Sequence, residues 1–138
     1  MEQVTIYTHG AAVSEPGAAA IAVQAVNEAG DVLVESVASI GNATELFAAF
    51  GAVVFGLEAV REKLTTAEAA FELVLGNESV VEYLTNKLPV TNPSIVAHFI
   101  EIHNVRVEHF PQLTVRKGTK KEMQAVQRLV TKELDAPQ

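Results

Sequence analysis

The hydrophobic period of this chain changes at Thr44, and that change restricts the folds open to it. Upstream, apolar residues come in short runs bounded by turn chemistry; downstream, they recur every three or four residues over a long stretch. Val4–Thr8 (VTIYT) reads as a strand ending in His9-Gly10. Ser14-Glu15-Pro16-Gly17 reads as a turn, because Pro presets φ and Gly accepts a positive φ at the next position. Ala18–Asn27 reads as a second strand, rich in small residues. Glu28-Ala29-Gly30-Asp31 makes a hairpin turn, and Val32–Ile40 returns as a third strand. The chain therefore opens with a three-stranded meander.

Asn42 or Thr44 supplies the N-cap of a long helix in which Leu46, Phe50, Val53, Val54, Leu57, Val60 and Leu64 form a broad apolar face. Gly51 and Gly56 lower its propensity and predict close packing on a sheet. Phe71–Leu75 is a fourth strand, and Gly76-Asn77-Glu78-Ser79 turns into a helix over Val80–Lys87, stopped by Pro89. Pro93-Ser94 opens a third helix over Ile95–His103. Val105–Phe110 (VRVEHF) reads as a fifth strand, and a basic loop through Gly118 leads to a last helix over about Lys120–Leu134. The order β-β-β-α-β-α-α-β-α predicts an α/β fold: a five-stranded mixed sheet flanked by helices, its later strands parallel through right-handed crossovers.

A length of 138 residues predicts one domain over 1–138, and 49% apolar against 20% charged residues gives ample core material. The absence of cysteine excludes a disulfide scaffold, thiolate metal sites and thiol catalysis. With no Trp, six Phe and two Tyr, stacking platforms for single-stranded nucleic acid are poorly supplied. The opening MEQVTIYTHG has neither a basic region nor a long apolar one, and the apolar stretches are interrupted by Glu, Gln and Asn. A cytoplasmic protein without a membrane span is expected. The net charge of −7 disfavours polyanions, yet the cations are unevenly placed. Residues 1–60 hold no Lys or Arg, whereas Arg116, Lys117, Lys120, Lys121, Arg128 and Lys132 lie late. The first four are candidate nucleic-acid contacts, although a solvated basic face is the plainer reading.

Several fragments, read in order over nearly the whole chain, resemble the ribonuclease H family. Ile6–Gly17 (IYTHGAAVSEPG) is similar to the family's first strand, Y-T-D-G-A, and the loop ending N-P-G. Gly41-Asn42-Ala43-Thr44, with Leu57-Glu58-Ala59-Val60 following, is similar to G-N-A-T-N-N-x-A-E and its trailing L-E-A. Leu73–Val81 looks like the strand that ends in D-S. His109-Phe110-Pro111-Gln112 resembles the V-P-R after the fifth strand, and Lys121–Ala125 sits where N-x-x-A-D-x-L-A opens the last helix. The resemblance implies a ribonuclease H-like fold in its compact form, without a basic protrusion. Some similarly degenerate relatives of Gram-positive bacteria, such as EbsB, are associated with the cell wall.

In the family, four carboxylates hold two Mg²⁺ ions about 4 Å apart to hydrolyse the RNA strand of RNA–DNA hybrids. Carried over one at a time, those positions are His9, Ala49, Asn77 (Glu78 if the gap is placed differently) and Gln124. Mg²⁺ demands hard oxygen ligands, so the resemblance implies a pseudoenzyme with no catalytic or metal-binding residues and no cofactor. The substrate-gripping Asn residues are replaced by Glu45 and Leu46, and the Asn before Pro-Gly by Glu15, which also opposes hybrid binding. A metal site rebuilt from Glu45, Glu78 and Glu122 is disfavoured by their spacing. His9 reads as a hydrogen-bonded structural residue, and His98 and His103 as surface or capping residues off the i,i+4 spacing of zinc ligands. Leu46, Phe47 and Ala49 would leave a less polar hollow suited to a protein or small ligand. The expected function is a non-catalytic binding module of unknown partner. The alternatives are Mg²⁺-dependent cleavage of hybrids, or nucleic-acid binding without cleavage through Arg116–Lys132.

Overall fold

The computed structural model describes residues 3–64 and 69–135. Strands β1 (Gln3–Ala12), β2 (Gly17–Val26) and β3 (Val32–Ala43) form the antiparallel meander expected. The hairpin between β2 and β3 is closed by the Asp31 amide donating to Asn27 Oδ1 at 2.9 Å, with Gly30 at φ 88° where a side chain would be strained. Then come α1 (Glu45–Lys63), β4 (Ala70–Leu75), α2 (Glu78–Leu84), α3 (Pro93–His109), β5 (Leu113–Lys117) and α4 (Lys120–Asp135). The sheet order is β3-β2-β1-β4-β5, with β4 parallel to both β1 and β5. The mixed five-stranded sheet and its flanking helices are those read from the sequence.

Helix α1 covers β1 and β2 on one face and carries α3 on its back; α4 lies on the opposite face. Phe50, Leu57, Ile6, Leu73 and Phe71 are fully buried between α1 and the sheet, each contributing about 1.5–3 kcal/mol of transfer free energy. Gly56 serves the close packing predicted: a Cβ there would lie 2.5 Å from Thr8 Cγ2. Gly51 instead faces α3, near His98. On the other face Met123, Val126 and Val130 of α4 pack on Ala20, Ala22 and Val74, small residues that let the helix sit close.

The fifth strand is displaced from its predicted place. Val105–Phe110 is not a strand: α3 runs on to His109, and Phe110 caps it by donating its amide to the Arg106 carbonyl. The segment VRVEHF alternates like a strand, but the helical stripe Ile95, Ile102, Val105 continues through it, leaving Val107 66% exposed. The strand lies instead at Leu113–Lys117, in the basic segment read as a loop. Its charges disguised it, and the carboxylates that match them come from β4, α2 and α4. His109–Gln112 therefore precedes β5 and does not play the part that its likeness to V-P-R suggested.

Candidate functional site

β1 and β4 are parallel neighbours with Thr8 opposite Leu75, and beyond that pair β4 leaves the sheet while β1 runs on against β2, opening a gap beside it. His9-Gly10 continues one strand and Gly76-Asn77 follows the other. Two helix N-termini point at this place. Thr44 caps α1, its Oγ1 accepting from the Phe47 amide at 3.1 Å, and Asn77 caps α2, its Oδ1 accepting from the Val80 amide at 3.2 Å. Gly10 permits the crossing of β1 and α1, since a Cβ on it would overlap the Ala48 carbonyl. The result is a hollow of about 260 Å³.

His9, Ala49 and Asn77 line the hollow together, as the sequence predicted, with Thr8, Leu75 and Val80 on its walls and Glu45 also contributing to the lining. Gln127 of α4 also lines it. Burial lowers the His9 pKa from its ordinary value, so the imidazole is neutral at pH 7. Asn77 has committed its carbonyl to capping and retains its amide donors. Thr8 is 2% exposed, and among the described residues its hydroxyl has no partner. The Glu15 carboxylate accepts the Glu45 backbone amide, placing two carboxylates at the start of α1, where the helix dipole favours negative charge. This donor set does not fit a pair of Mg²⁺ ions. Among the described residues Glu45 is the one carboxylate lining the hollow, and no three of His, Asp and Glu gather as metal ligands.

Searches by sequence gave no matching family model and no matching curated relative. Solved structures do match. LC11-RNase H1, isolated from compost by a metagenomic approach, is 27% identical with a TM-score of 0.91, covering 98% of this chain and 97% of its own. In its complex with an RNA/DNA hybrid the same enzyme superposes at a TM-score of 0.89, covering 94% of each chain, again at 27% identity. RNase H1 of Halobacterium salinarum shares the fold at 22% identity and a TM-score of 0.89, covering 96% of this chain and 98% of that one. The chain is ribonuclease H-like.

Within this ribonuclease H-like frame, Gln124 is exposed and lines a neighbouring hollow on α4 with Arg128 and Lys132, while Gln127 faces the central one. Gln127 lies three residues, about 300° of rotation, beyond Gln124, so the two share one side of α4 and only its docking decides which enters the central hollow. Leu46 packs against the main core and Phe47 against His98, with ring centroids 4.6 Å apart. Of the three residues expected to make the hollow apolar, only Ala49 lines it. His98 is not a surface residue: it is half-buried between α1 and α3, with Nδ1 unpartnered. His103 is exposed as expected.

The candidate basic contacts divide. Arg116 is clamped by two carboxylates, donating to Glu122 at 3.1 and 2.7 Å and to Glu72 at 3.0 Å. The paired charges raise the Arg116 pKa and hold the Glu122 carboxyl at about 2, mainly through the Arg116 hydrogen bond. Lys117 lies 3.6 Å from Glu78. Lys120 and Lys121 stand exposed at the start of α4. Glu122 also closes a capping box with Thr119, each side chain accepting the other's amide. Among the described residues no helix is long and apolar enough to cross a membrane.

Proposed function

We propose that this ribonuclease H-like chain binds without cleaving, as an interaction module for a protein or small ligand. The observation that carries the reading is the chemistry of the hollow. A neutral imidazole, a methyl group and an amide stand where the resemblance calls for oxyanions, and none of these can neutralise divalent cations. The carboxylates of Glu15 and Glu45 at the start of α1 repel a phosphodiester, and two of the four candidate basic contacts are already engaged.

Isothermal titration with Mg²⁺ or Mn²⁺ is expected to show no saturable binding. A labelled RNA–DNA hybrid incubated with the protein in Mn²⁺ should stay intact, with LC11-RNase H1 as the positive control. Metal-dependent cutting of the RNA strand by rigorously purified protein would falsify the proposal and establish the hybrid-cleaving alternative. A low-salt gel shift abolished by charge reversal at Lys120 and Lys121 would establish nucleic-acid binding without cleavage in its place.

A further inference from the structure

The free edge of the sheet carries a second surface, independent of the hollow. Among the described residues β3 ends the strand order and pairs only with β2, and at 12 residues it is far longer than β5, the 5-residue strand at the other edge. An edge strand presents unpaired N–H and C=O groups that can template another strand, and proteins commonly blunt such edges with Lys, Pro or a covering element. β3 has no Lys or Pro, and Glu35 is its one charged residue. Between the register shifts opposite its two ends, Val34–Ser39 pairs regularly with β2, so this stretch offers a straight template.

Beside it, between β3 and the second half of α1, lies a groove of about 260 Å³. Val34, Phe55 and Ala59 give it apolar walls, while Glu35, Glu58 and Glu62 outnumber Lys63 as its charged groups. The nearby Arg61 is already paired with Glu58. We propose that β3 accepts an extended segment of a partner protein as a sixth strand, one with apolar residues alternating with Lys or Arg. Main-chain hydrogen bonds to Val34–Ser39 would supply affinity; an apolar side chain over Phe55 on the α1 face and a cation beside Glu35 on the other face would supply selectivity. A second copy of this chain suits the edge poorly, because pairing β3 with β3 brings two acidic rims together.

The test uses synthetic ten-residue peptides in which Val or Ile alternates with Lys or Arg, alongside scrambled peptides of equal composition. Amide resonances of Val34–Ser39 and of the second half of α1 should shift on titration, and β3 amides should gain protection from hydrogen exchange. The scrambled peptides should bind about tenfold more weakly, and Glu35→Lys, at an exposed site, should weaken the alternating peptide about fivefold. Three results would overturn the inference: no binding by any alternating peptide, binding that ignores residue order, or shifts lying away from β3 and α1. Dimerisation of the free protein with protection of the same amides would assign the edge to a second copy and also overturn it. None of these outcomes bears on metal binding in the hollow.

Discussion

At the scale of single residues, His9 and Glu122 make opposite uses of charge. Burial lowers the His9 pKa, so the unfolded chain takes up its proton first as the pH falls below the ordinary value of 6.5. His9 therefore costs stability progressively on acidification through that range, and none at higher pH. Thermal melts at about pH 7.5 and 5.5 should show a smaller acid shift in His9→Asn than in the native chain. Glu122 runs the other way. Its carboxyl, held at about 2 by Arg116 and the Thr119 amide, supports the fold at neutral pH, and that support is lost as the pH falls from 4.5 toward 2. Denaturant unfolding of Glu122→Ala at pH 7 is expected to show a loss of about 1 kcal/mol, chiefly from the cap. His9, Ala49 and Asn77 were legible as a group because neighbouring strand ends and a helix start bring them together. Gln127 and the cap made by Glu15 were not, since each depends on the docking of an element distant in sequence.

At the scale of elements, the meander and α1 were readable because their periods and turn residues agree with one another. The end of α3 was not. Two β-branched residues two apart imitate a strand, and only the packing of Ile102 and Val105 under the helix shows which period governs. Val107→Lys should change stability by less than about 0.5 kcal/mol in chemical denaturation, as a solvent-facing helical position allows. Ile102→Ala, beneath the same turn, should cost about 2–4 kcal/mol. A strand at Val105–Phe110 would give no such contrast between those two positions. β5 was hidden for the converse reason: Arg116 and Lys117 read as solvated charges until Glu72, Glu122 and Glu78 are brought against them.

At the scale of the whole molecule, the hollow sets one carboxylate, Glu45, beside a neutral imidazole, a methyl group and an amide. Introducing His9→Asp, Ala49→Glu and Asn77→Asp together would place like charges near Glu45. Without metal, calorimetry should show a lower Tm for this variant than for the native chain, recovering in part as Mg²⁺ is added. An unchanged Tm would mean that carboxylates there do not repel enough to matter. The order of elements, the mixed sheet and the absence of a carboxylate at His9, Ala49 and Asn77 were determined by the sequence alone, because period, turn chemistry and residue type are local properties. Which glutamine faces the hollow, where the last strand lies, which cations are neutralised and that β3 is left with a free edge were decided only by tertiary structure. Each depends on partners far apart along the chain, and distance in space is what packing, and not pattern, sets.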